Sequence, residues 1–178
     1  MEMRAVAYDH PDARRLVAEV QQEYVRRYGD IDVTPVDPAD FSPPRGLFVV
    51  AYVDGAAVAC GGWRAHDGDE EDFVDGDAEL KRMYVVAAAR GRGLARAVLA
   101  ELERTALAAG RRRLVLETGT RQPEAIALYT SSGYAPSANF GVYKTEPESR
   151  CFAKSLLGPA VGSDAGDPGV AATGLAAG

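Results

Sequence analysis

Apolar positions along this chain recur at two periods, and each period predicts a kind of element. Over residues 12–28, Ala13, Leu16, Val17, Val20 and Tyr24 fall at helical spacing, with Gly29 as the stop. Over residues 92–109, Ala95, Val98, Leu99, Leu102, Ala106 and Ala109 do the same, and Gly110 ends the run. A short third helix is predicted at 123–132, with Pro123 in its first turn and Gly133 after it. Strands are predicted at 4–8, 47–53, 56–65, 79–86, 114–118 and 150–156, with further extended chain around Tyr134. Asp54-Gly55 makes the second and third of these a hairpin. Gly61-Gly62 marks a bulge or a close backbone approach. LVLET at 114–118 is an unbroken apolar run, as expected of a strand buried on both faces.

The hairpin requires antiparallel pairing. The strand–helix–strand–helix stretch from 79 to 132 requires a parallel pair. The expected fold class is therefore α/β, with layered α+β character and a mixed sheet. Residues 30–46 carry Pro35, Pro38, Pro43 and Pro44 and read as a loop or a few short turns.

Composition changes this picture at one end. Residues 158–178 hold six Gly and six Ala, with no aromatic residue, Lys or Arg. Such a segment cannot bury enough apolar area to offset its ordering entropy. The expectation is a domain over residues 1–157 and a flexible Gly/Ala-rich tail over 158–178. The net charge of −6 makes nucleic acid a poor partner, since that binding rests on Lys and Arg neutralising phosphates. No apolar run approaches a membrane span, and the first residues carry no signal-peptide core. Two cysteines, Cys60 and Cys151, and two histidines, His10 and His66, form no metal-ligand pattern. The expectation is a cytoplasmic protein with no metal, no membrane and no nucleic-acid partner.

Candidate chemistry gathers where the fourth strand meets the second long helix. Arg90-Gly91-Arg92-Gly93-Leu94-Ala95 joins them. The first N–H groups of a helix lack internal acceptors and point at whatever sits before its N-terminus. Gly91 and Gly93 remove side chains there, and Arg90 and Arg92 add positive charge, so the turn suits a phosphate or pyrophosphate. It fits neither GxGxxG, because Arg96 occupies the third glycine position, nor GxxxxGK[ST].

Arg90-x-x-Gly93-x-Ala95, after the strand ELKRMYV, resembles motif A of the GCN5-related N-acetyltransferase (GNAT) superfamily. Ala125-Ile-Ala-Leu128-Tyr129-Thr-Ser-Ser-Gly133-Tyr134 is similar to a second signature of that family. The 34 residues from Ala95 to Tyr129 leave room for one helix and one strand. The resemblance covers roughly residues 4–156. It implies a mostly antiparallel sheet of six to seven strands with a central parallel pair, flanked by about four helices. It implies acetyl-CoA as cosubstrate, bound by Arg90, Gly91, Arg92, Gly93, Leu94 and Ala95, by backbone groups of Met83, Tyr84 and Val85, and by Gln122. Many relatives carry Asn at the position of Gln122. It implies Tyr129 as general acid and Glu79 as general base, and a possible homodimer. The ending from Phe140 to Lys154 looks like that of a bacterial subgroup.

The activity so implied is transfer of an acetyl group to the primary amine of a small molecule, such as an amino acid, a polyamine or an amino-antibiotic, by direct attack in a ternary complex. A non-catalytic acyl-CoA-binding module and a protein N-terminal or lysine acetyltransferase stand as alternatives. Loop 30–46 and Tyr143 are expected to shape the acceptor pocket, and the acidic run 67–79 to form a solvated hairpin tip. Trp63 and Cys151 are expected to be core residues.

Overall fold

The structure is a computed structural model and describes residues 1–68 and 71–158. The expected tail, apart from Gly158, lies outside the described residues. In chain order the elements are β1 (Glu2–Val6), α1 (Pro11–Tyr28), β2 (Gly46–Val53), β3 (Ala56–His66), β4 (Asp77–Val85), α2 (Leu94–Ala108), β5 (Arg113–Gly119), α3 (Pro123–Ser131), β6 (Ala135–Pro136) and β7 (Ser149–Ser155). Two short 3-10 turns, Pro38–Phe41 and Ala87–Ala89, lie in the connections. The sheet has seven strands in the order β1-β2-β3-β4-β5-β7-β6. Every neighbouring pair is antiparallel except the central pair, β4 and β5.

Among the described residues there are three α-helices, in rough agreement with the expected number of about four, and they follow the predicted periodicity. The proline-rich segment after α1 supplies one 3-10 turn and no α-helix. Most boundaries shift by one or two residues from expectation. β1 begins two residues earlier, and α2 begins at Leu94, because Gly93 (φ 76°) takes the left-handed conformation as its N-cap.

α1 and α2 cover opposite faces of the sheet. Alternate residues of β2 divide between them: Val49 and Ala51 pack with Val98, Leu99 and Leu102 of α2. Phe48, Val50 and Tyr52 pack with Ala13 and Leu16 of α1. Trp63 lies in the α2 core and donates its indole N–H to Thr105 Oγ1 at 3.1 Å. Leu102 is fully buried, and truncating such a residue to Ala costs about 2–5 kcal/mol.

Two irregularities place the site. β4 and β5 pair only from Asp77–Arg113 to Glu79–Val115 and then diverge. β4 also bulges: Cys60 opposes Tyr84 and Gly62 opposes Lys81, so Gly61 faces two residues, Arg82 and Met83. Arg82 takes φ 57° there. A Cβ on Gly61 would lie 2.6 Å from Met83 Sδ, so glycine lets the bulge seat against β3.

Candidate active site

The diverging strands open a cleft of about 480 Å³ between β4, the start of α2 and α3. Met83, Tyr84 and Val85 form its β4 wall. Arg90, Gly91, Gly93, Leu94 and Ala95 form its mouth, and Gln122 and Tyr129 its far wall. Ten of the twelve residues singled out from sequence thus meet in one place. Arg92 is exposed and does not line the cleft. Gly91 (φ 75°) and Gly93 (φ 76°) are both left-handed, a backbone that an L side chain strains to adopt. No side chain caps α2, so its first N–H groups stay available to an anion. This open, glycine-shaped cradle fits a pyrophosphate.

Arg96, noted in sequence only for breaking a glycine pattern, also lines this cleft. It is held by Ser131 Oγ at 2.8 Å and Ser132 Oγ at 3.0 Å. It adds a cation at the cradle that sequence reasoning missed. Arg90 donates through Nε to the Val85 carbonyl at 3.1 Å, which ties the turn to the end of β4.

Tyr129 is 6% exposed, its ring edge-on to Tyr134 at 5.7 Å between centroids. Burial, with a small contribution from Tyr24, raises its hydroxyl above the usual tyrosine range. It therefore keeps its proton and can donate it.

Glu79 does not fit the base expected of it. Its carboxylate lies 2.8 Å from Arg64 Nε, 3.0 Å from His66 Nε2 and 3.2 Å from Lys81 Nζ. Phe73 stacks on the His66 ring at 3.5 Å. Burial opposes ionisation, but the His66 hydrogen bond and the Lys81 and Arg64 charges outweigh it and pull the carboxyl down to about 2. A carboxylate so stabilised has little affinity for a proton, and Glu79 lines neither cavity of the site.

A second cavity of about 360 Å³ lies on the other side of Gln122. Tyr24 and Tyr28 of α1, Asp32 of the following loop, Lys81 and Arg82 of β4, Glu117 of β5 and Tyr143 line it. Tyr143, expected near the acceptor, accepts the Val33 N–H at 2.8 Å and so bridges two loops at the cavity mouth. Asp32 is ion-paired with Arg82 and lies 3.9 Å from Lys81. Burial works against its charge, but Lys81 and Arg82 hold its carboxyl below the usual range. Glu117 behaves oppositely. Burial raises its carboxyl above the usual glutamate range, and a hydrogen bond from Ser149 Oγ at 3.0 Å only partly offsets this. In sequence Glu117 is hidden inside the apolar run LVLET, and a lone acid in such a run carries no motif.

Neither cysteine is a nucleophile here. Cys60 and Cys151 are buried, and burial raises both thiols, Cys151 to about 11. Among the described residues, no cluster of three or more His, Cys, Asp or Glu could hold a metal ion, and no helix is long and apolar enough to cross a membrane.

Comparison with known proteins places the chain in a family. The profile of the acetyltransferase (GNAT) family matches residues 12–134. An IAA acetyltransferase of Azospirillum brasilense is 35% identical over 144 residues, covering 79% of this chain and 90% of the relative. The uncharacterized N-acetyltransferase YjgM of Escherichia coli (strain K12) is 32% identical over 137 residues, covering 74% of this chain and 79% of the relative. A solved structure from Klebsiella pneumoniae, described as an acyl-CoA N-acyltransferase, superposes with a TM-score of 0.68 at 30% identity and covers 87% of this chain and 97% of that one. The protein is an N-acetyltransferase and belongs to the GNAT family.

Proposed function

We propose that this enzyme moves an acetyl group from acetyl-CoA to the primary amine of a small molecule, by direct attack with both substrates bound. The observation that carries this reading is the pair of cavities, one with an anion cradle and one rich in carboxylates, meeting at Gln122.

Backbone N–H groups at Gly93, Leu94 and Ala95 hold the pyrophosphate, with Arg90 and Arg96 as flanking cations. The β4 backbone over Met83–Val85, freed from β5 where the strands diverge, hydrogen-bonds the pantetheine arm. Gln122 holds its reactive end between the cavities. The bound thioester supplies the electrophilic acyl carbon.

The second cavity receives the amine. Asp30, Asp32, Glu117, Glu146 and Glu148 outnumber Lys81 and Arg82 there, which favours a cationic acceptor. An alkylammonium with a pKa near 10 must lose a proton before its nitrogen can attack. Glu117 takes that proton, its raised pKa making it a better base than Glu79 or Asp32, whose carboxyls are both held low. The N–C bond forms as the C–S bond breaks. Tyr129 donates its proton to the departing sulfur and regains one from the nitrogen through solvent. With both thiols buried, neither cysteine offers a covalent acyl intermediate.

The test is calorimetric titration with acetyl-CoA, CoA, ATP and NADH, followed by an amine panel read by thiol release. Selective binding of acetyl-CoA and intersecting initial-velocity lines are expected. Absence of acetyl-CoA binding, or parallel lines, would overturn the proposal.

A further inference from the structure

The two cavities share a single lining residue, Gln122, so the acyl carbon and the amine must meet beside it. On the acceptor side of that junction stands Tyr28, the last residue of α1. Gln122 Nε2 donates to the Tyr28 hydroxyl at 3.3 Å. The same hydroxyl lies against Gly119, where a Cβ would come within 2.1 Å of it. Glycine at the end of β5 is what lets the ring approach so closely.

The end of α1 is fastened in this position. Arg27 Nη1 donates to the Arg121 carbonyl at 2.8 Å, and Arg121 Nη1 donates to the Arg27 carbonyl at 2.9 Å. Arg27 also pairs with Glu124 at the start of α3, and the Arg121 guanidinium lies over the Tyr28 ring at 5.9 Å. Tyr28 is therefore held by both flanking segments rather than left to swing freely.

Resting on the donor and acceptor assignments above, we infer that Tyr28, standing behind Gln122 on the acceptor side, completes the partition between the cavities and sets the length of acyl chain the enzyme transfers. An acetyl group ends at its methyl beside Gln122. Each further methylene must extend past Gln122 into the space of the Tyr28 ring. A packed site discriminates one methylene by about ten- to 200-fold, so a fixed ring here suffices for acetyl selectivity. Tyr28 acts by volume, and its hydroxyl serves to hold the ring in place.

The experiment compares kcat/KM for acetyl-, propionyl- and butyryl-CoA with one fixed amine, in the wild type and in Tyr28→Ala, Tyr28→Leu and Tyr28→Phe. Dissociation constants for the three donors are measured by calorimetry on the same proteins. The butyryl-to-acetyl ratio is expected to rise at least tenfold in Tyr28→Ala and less in Tyr28→Leu. In Tyr28→Phe, which keeps the ring, it should stay within about threefold of wild type. Should Tyr28→Ala fail to fold, Tyr28→Leu carries the test. An unchanged ratio in the folded variants, with acetyl transfer still measurable, would overturn the partition and leave the proposed function standing. A wild type that binds none of the three donors would overturn both.

Discussion

Ser149 Oγ on β7 donates to Glu117 Oε1 on β5 at 3.0 Å, the diagonal contact between two strands whose register places Glu117 opposite Cys151 and Gly119 opposite Ser149. This hydrogen bond favours the carboxylate, while burial disfavours it more strongly, and Glu117 remains above the ordinary glutamate range. Lys81 pulls its pKa down, whereas Asp32 and Glu79 push it up. As the proposed base, Glu117 works only when ionised, so the acidic limb of kcat/KM should lie above 4.5, the ordinary glutamate value. Glu117→Gln should remove that limb and lower kcat/KM by about 10²–10⁴-fold. Ser149→Ala deletes a group that favours the ionised form, so the limb should move to higher pH. A pH–rate profile of the three proteins measures both effects, and a Glu117→Gln profile that keeps its acidic limb would remove Glu117 from the reaction.

Tyr129→Phe isolates the other proton. The substitution keeps the ring and its contact with Tyr134 and deletes only a hydroxyl that burial keeps protonated. Turnover should fall by about 10²-fold, with the KM for acetyl-CoA changed less than threefold, because the proton is needed as sulfur departs and not while the donor binds. Steady-state kinetics separates the two constants. A matched loss in KM alone would assign Tyr129 to binding.

At Gly93 two effects can be told apart. No atom lies within 4 Å of a Cβ built there, so Gly93→Ala meets no clash within the protein. The left-handed φ of 76° alone should cost about 1–2 kcal/mol, read from the denaturation midpoint. Asn enters that conformation more readily than Ala, so Gly93→Asn should recover part of the stability. It should not recover acetyl-CoA affinity, because its side chain still projects where the pyrophosphate approaches. Calorimetry on both variants decides whether Gly93 matters to the ligand or only to the fold.

The elements themselves were legible from local pattern: the spacing of Leu16 and Val20, of Val98, Leu99 and Leu102, and the Asp54-Gly55 turn. So was the anion cradle, since Gly91 and Gly93 act through backbone freedom that follows from residue type. What escaped depends on contacts distant in sequence. Nothing in the residue type of Arg82 announces a left-handed bulge, because Gly61 on the neighbouring strand is what seats it. Glu79 looked like an available acid because Arg64 and His66 reach it only after β3 and β4 pair. Glu117 lies within the run read as an apolar core strand, and its cavity exists only once β5 has parted from β4 and the loop after α1 has closed over it. Tyr28 read as the end of a helix, and its place beside Gly119 joins segments about ninety residues apart.

Glu79 tests this account of the site from the stability side. Its folded carboxyl titrates at about 2, below the ordinary glutamate value of 4.5. A depressed folded pKa contributes stability that is fully present above about 4.5 and is lost as pH falls towards 2. Wild-type stability should therefore decline across that interval, and Glu79→Gln should show a shallower decline there, because the group that takes up the proton is gone. At neutral pH the variant should be less stable by about 3–5 kcal/mol, since Arg64, Lys81 and His66 are left around a neutral amide. The protein that remains folded should keep the acidic limb of its pH–rate profile, which belongs to Glu117. Urea titrations at several pH values, paired with that profile, separate the roles. Loss of the limb in folded Glu79→Gln, with little change in stability, would return the base to β4.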